Sequence, residues 1–222
     1  MINQRVEGGE IKFDIKRAAF DKLQKLVDNK AVCIVLSTPP EFVDLSEYDF
    51  VVRCNDWWAY DEGRCDILFH IGASHKIKPS WMASKTAADA ELQMLCLYND
   101  GAESSKMKRV VGFHKVPVCL YDNQTSLHAP LRKHFGVRGS SPSTGLIATY
   151  TLCKCLPRKL YVTGGDLYAT EPEHAGWARH NPIEHCYWYR RLYKEHKFLS
   201  LGPDMWRGVK TWENRDESYL AK

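Results

Sequence analysis

The chain has 222 residues, 44% of them hydrophobic and 26% charged, with a formal net charge of +4. This balance excludes a disordered chain, and the length allows one domain with a full core. No apolar run approaches the roughly 18 residues a membrane span requires, and the mild positive charge suits an anionic small ligand better than a nucleic acid.

Taken in chain order, residues 15–28 place Ile15, Ala19, Phe20, Leu23, Leu26 and Val27 on one face, as an amphipathic helix does. The run AVCIVLS (31–37) is continuously apolar and of strand length, the pattern of a parallel strand buried on both faces. It stops at Ser37-Thr38-Pro39-Pro40, which cannot continue a central strand. Further strands are predicted in YDFVVRCN (48–55), CDILFHIG (65–72) and LQMLCLY (92–98), and the segment RVVGFHKVPVCLYD (109–122) follows them. A helix is predicted in 81–92, and a lysine-rich stretch occupies Glu103–Arg109. Residues 143–155 read as a helix, 159–165 as a strand, 181–196 as a helix and 197–202 as a last strand.

Alternating strands and helices with short connections predict an α/β fold: one Rossmann-like domain over 1–202, its mainly parallel central sheet flanked by helices. Residues 203–222 read as a C-terminal tail that packs on the domain or frays from it, polar except for Met205, Trp206, Trp212, Tyr219 and Leu220. Eight cysteines are present, several inside the apolar runs, where a thiol behaves as a small hydrophobe. The N-terminal stretch lacks the apolar centre of a secretion signal, so reduced thiols and a cytoplasmic location are expected. Cys153 and Cys155 form a CxC pair with no second pair at zinc spacing, and no metal site is expected.

Ligands of open α/β sheets bind beyond the carboxyl ends of the strands. Four predicted ends carry polar residues or glycine: Ser37-Thr38, Arg53-Cys54-Asn55, His70-Ile71-Gly72 and Gly164-Gly165-Asp166. Gly139–Gly145 (GSSPSTG) opens a helix, where unpaired backbone N–H groups favour a phosphate. The same serines read equally well as plain helix caps. His180 precedes a helix with Glu184 four residues on, and an imidazole there suits removal of a proton from a hydroxyl. It reads just as simply as one of nine histidines near a helix start.

In order, these segments resemble the sialyltransferase superfamily, both the animal-type and the compact bacterial families. VCIVLS followed by DFVVRCND is similar to the first sialyl motif, and SPSTGLIATYTLCKCLPRKLYVTGGDLY to the second. His180 with Glu184 is similar to the short terminal motif. The resemblance runs from about 31 to 201 and implies a GT-A-like Rossmann variant, an inverting and metal-independent glycosyltransferase without a cofactor. Its substrates would be a CMP-linked sugar, sialic acid or related, and a glycan or other acceptor hydroxyl. It implies His180 as general base, Asn55 at the nucleotide or its phosphate, Ser143, Thr144 and Gly145 around the cytidine or phosphate, and Tyr168 on the leaving phosphate.

The chain departs from the bacterial pattern at several places. Ser37-Thr38-Pro39-Pro40 stands where a Gly-Asn-Gly-Pro-Ser-like loop is usual, so Ser37 replaces an asparagine expected to bind phosphate. His70 replaces another asparagine, His174 stands in for a second phosphate-binding tyrosine, and the lid segment Ala169–Arg179 is short. Asp166 and Glu184 complete the candidate residues. Two other readings stay open: a different donor such as a UDP-sugar with an acceptor such as a modified nucleic-acid base, and a non-catalytic nucleotide- or glycan-binding module.

Overall fold

The computed structural model describes residues 6–7, 10–11, 17–36, 43–54, 63–70, 92–98, 117–121, 142–167 and 182–213. The helix expected in 81–92, the 103–109 stretch and residues 214–222 lie outside them, apart from Leu92. Strands β1 (Val6–Glu7) and β2 (Glu10–Ile11) form a small antiparallel pair that the apolar pattern does not announce. Helix α1 spans Arg17–Val27 and buries Leu23 and Val27 completely.

Seven strands follow: β3 (Ala31–Val35), β4 (Phe50–Cys54), β5 (Ile67–His70), β6 (Met94–Tyr98), β7 (Pro117–Tyr121), β8 (Lys159–Thr163) and β9 (Leu199–Leu201). They make one sheet in the order β7-β6-β5-β4-β3-β8-β9, and every described pairing is parallel. The expected α/β fold with a parallel sheet is therefore present. All five β3 residues are buried because both faces are covered. Val32 and Ile34 join the core beneath the helices, while Ala31, Cys33 and Val35 pack with Tyr48 and Val51 on the other face.

Helix α2 (Thr144–Cys155) buries every residue except Lys154, so it is a core helix rather than an amphipathic one. Thr149 and Thr151 sit inside it because their hydroxyls donate to the carbonyls of Gly145 and Ile147, each at 2.8 Å. Helix α3 (Pro182–Glu195) precedes β9. The segment expected as a tail contains helix α4 (Pro203–Glu213), whose Met205, Val209 and Trp212 are buried in the main core. These three recur at intervals of four and three residues, a helical stripe that a short polar segment hides.

Gly208 of α4 lies against the backbone of Asp166: a Cβ there would stand 2.2 Å from the Asp166 carbonyl oxygen. Gly208→Ala should gain about 1 kcal/mol of helix propensity yet lose more to overpacking against a backbone atom that cannot swing away. A net loss of about 1–2 kcal/mol is expected, read as a lower urea midpoint. An unchanged or higher midpoint would show that the loop and helix can separate freely.

Candidate functional site

The chain enters the sheet at β3, winds outward through β4 to β7, then returns to lay β8 and β9 on the other side of β3. The order therefore reverses between β3 and β8, and the crevice beyond the carboxyl ends at such a point is where open α/β sheets bind ligands. Leu36, just past β3, donates its backbone N–H to the Thr163 carbonyl at 2.9 Å. Its side chain reaches both Gly145 and Gly165: a Cβ would stand 2.4 Å from Leu36 Cδ2 at the first and 3.0 Å from Leu36 Cδ1 at the second. The β3 end, the β8 end and the α2 N-terminus thus meet around one leucine.

Ser143 is the N-cap of α2, its Oγ accepting from the Leu146 N–H at 3.2 Å. Its own backbone N–H donates to His185 Nε2 at 3.0 Å. That nitrogen is therefore an acceptor, which fixes the His185 proton on Nδ1 in this arrangement. The capping reading of the serine is realised, and the remaining first-turn positions are Thr144, which is buried, and Gly145. The missing Cβ of Gly145 lets α2 approach Leu36, a packing use that the sequence reading, centred on a ligand, did not foresee.

At the β8 end, Gly164 has φ 75°, a left-handed conformation that glycine adopts without penalty. Buried Asp204 reaches back from α4 to accept from the backbone N–H groups of Gly164 and Gly165 (3.0 Å for the latter) and from Thr163 Oγ1 at 3.1 Å. A Cβ on Gly202 would stand 2.6 Å from Asp204 Oδ1 and 2.9 Å from both Thr163 Oγ1 and the Tyr161 hydroxyl, so the turn leading into α4 has no room for a side chain there. Asp166 is half-buried, and Leu167 is left-handed at φ 53°.

Arg53, on the β4 face that carries Val51, is 1% exposed, and its Nε donates to the Arg64 carbonyl at 3.2 Å. Burial pushes the thiols of Cys33 and Cys54 up to about 12, and the Arg53 guanidinium pulls against that rise in both. Glu184, in the first turn of α3, is also 1% exposed, at the helix end whose dipole favours a carboxylate. Among the described residues, no three His, Cys, Asp or Glu side chains gather as a metal site would require, and no helix is long and apolar enough to cross a membrane.

Of the residues singled out from sequence, Ser143, Thr144 and Gly145 stand together at the switch point, with Asp166 in the segment following Gly165. Glu184 lies on α3, adjacent in sequence to the His185 that binds Ser143. His70 closes β5, two strands away from β3. Ser37, Thr38, Asn55, Tyr168, His174 and His180 lie outside the described residues. Two residues of this edge went unread in the sequence. His185 carried no signal beyond its place one turn into a helix, and Asp204 none beyond being an acidic residue next to a proline at a helix start.

No family model matches the chain, and no curated protein matches it. Among solved structures it is similar to the sialyltransferase CstII from Campylobacter jejuni in complex with a substrate analogue, CMP-3FNeuAc. The identity is 14%, the match covers 78% of this chain and 79% of that one, and the TM-score is 0.49.

Proposed function

We propose that the chain is an inverting glycosyltransferase that moves a sugar, sialic acid or a relative, from a CMP-activated donor to an acceptor hydroxyl. The observation that supports this is the meeting of Leu36, Gly145 and Gly165 at the point where the sheet order reverses. The residues flanking that point belong to the segments that resemble the first and second sialyl motifs, and they are far apart in sequence.

In this reading His180, two residues before α3, takes the proton of the acceptor hydroxyl. The acceptor oxygen forms its bond to the anomeric carbon as the bond from that carbon to the phosphate oxygen breaks. CMP leaves with the electron pair, and a single displacement inverts the centre. The α2 N-terminus at Ser143, Thr144 and Gly145 and the hydroxyl of Tyr168 offset the charge on the leaving phosphate, the task a metal performs elsewhere. Ser37, Thr38 and Asn55 flank the nucleotide, with His70, Asp166, His174 and Glu184 as further candidates. The reaction needs no cofactor and no metal ion, so a chelator should leave it unchanged.

The reading is tested by titration calorimetry with CMP and UDP, followed by transfer assays. CMP is expected to bind in preference to UDP, and His180→Ala should lower kcat by about 10²–10⁴-fold with CMP affinity intact. Preference for UDP would replace the donor and bring the nucleic-acid acceptor into play. Binding of CMP without transfer to any acceptor would make the chain a binding module, and binding of neither nucleotide would sink the transferase reading.

A further inference from the structure

Helix α4 touches the segment after β8 at three successive turns of one face. Asp204 accepts from Thr163 Oγ1 and from the N–H groups of Gly164 and Gly165. Gly208, four residues on, presses its bare backbone against Asp166. Trp212, four further, donates its indole Nε1–H to the Leu167 carbonyl at 2.7 Å while its ring sits in the core at 8% exposure. Spacings of four residues keep all three on one side of the helix. The last residue they hold, Leu167, sits at φ 53°, a left-handed conformation that a non-glycine residue keeps only where its surroundings hold it there. Its side chain packs against the main core. A strained residue pinned from both its carbonyl and its side chain is a fixed point of the backbone, and Tyr168 follows it directly in the chain.

We propose that Trp212, acting with Asp204 and Gly208, is a positioning residue: α4 serves as a template that fixes the backbone of residues 163–167, on which Tyr168, next in the chain, depends for its place at the donor's phosphate. This rests on the transferase reading above. Trp212 touches no reacting atom in this scheme; it acts through the Leu167 carbonyl. The indole N–H supplies direction, because a ring of similar bulk without that donor would fill the core yet leave the carbonyl free to turn.

The test compares the wild-type protein with Trp212→Phe in three measurements: thermal midpoint, amide hydrogen exchange across 163–168, and CMP affinity with transfer kinetics. The midpoint should move by no more than about 5 °C. Exchange in 163–168 should accelerate by about tenfold while the first turn of α2 keeps its protection. The CMP Kd and the donor KM should rise about tenfold, with the acceptor KM unchanged. A merely structural role would move the midpoint and leave that split between donor and acceptor absent. If Trp212→Phe fails to fold, Leu167→Val serves instead: a β-branched side chain disfavours the left-handed position and disturbs the same turn with α4 intact. It should give the same loss of CMP affinity. Unchanged CMP affinity in the variant that folds, with wild-type binding intact, overturns the positioning role alone. Failure of the wild-type protein to bind CMP overturns the transferase reading and this inference with it.

Discussion

Asp204→Ala is expected to lower the free energy of unfolding by about 3–5 kcal/mol, the range for removing one side of a buried, charged hydrogen-bond set. The carboxylate accepts from the N–H groups of Gly164, Gly165 and Met205 and from the hydroxyl of Thr163. Thr163 and Gly164 are buried, so truncation strands their donors away from water. Each such donor costs about 1–3 kcal/mol when unmade, and a cavity is left beside Gly202. A domain of ordinary stability, about 5–15 kcal/mol, would lose a large share of its margin. Asp204→Asn keeps the shape and one acceptor oxygen, and about 1–3 kcal/mol is expected for it. Urea unfolding of the three proteins measures both values. An alanine variant within about 1 kcal/mol of wild type would mean that water replaces the carboxylate, and that α4 is not anchored through it.

The second large effect is loss of the fold in alkali. Six described cysteines, at 33, 65, 96, 153, 155 and 186, are buried as free thiols, and Cys54 is partly buried. From an ordinary value of 9.0, burial pushes Cys33 and Cys155 up to about 12 and Cys186 to about 11. Cys65, Cys96 and Cys153 are raised as well, again by burial. The sign follows from which state holds the protons. Below about pH 9 both states keep them and stability is full. Above it the unfolded chain ionises while the folded chain does not, so the unfolded state binds fewer protons and stability falls as pH rises towards the folded-state values. Each thiol contributes a slope of about 1.4 kcal/mol per pH unit, and the six buried ones together approach roughly 8 kcal/mol per unit. That slope removes a growing share of an ordinary stability margin as pH rises above about 9. Urea midpoints at pH 7, 8, 9 and 10 under reducing conditions should be level at first and then drop steeply. Replacing Cys96 and Cys153 together by alanine should flatten the drop. A level midpoint through pH 10 would show that these thiols ionise in place.

These two effects mark the division between local and long-range information in the chain. The strands were legible because a parallel strand covered on both faces needs an unbroken apolar run, and AVCIVLS supplied one. Helix α1 was legible because its apolar residues recur with the helical period, and the start of α2 because a serine before a threonine and glycine is a natural cap. The gathering of polar and glycine residues at strand ends also followed from sequence, since a parallel sheet puts all those ends on one edge. These features are local: each is set by the residues of its own segment.

What the sequence did not carry is which segments meet. The return of β8 to the side of β3, and hence the switch point, depends on strand pairings between distant parts of the chain. The bonds from Asp204 to Gly164 and Gly165, and from Ser143 to His185, join residues about forty positions apart. Helix α4 escaped notice because its buried stripe is only three residues wide and gains its stability from packing on α3 and the β8 loop. The glycine-rich β8 end read as an open place for a ligand, yet two of its N–H groups are filled by a carboxylate from α4. Sequence by itself therefore determined the buried strands, helices α1 to α3 and the edge of the sheet where chemistry is expected. Only tertiary packing decided which donors at that edge are already taken, because hydrogen bonds across the fold are fixed by the docking of elements and leave no periodic trace in the chain.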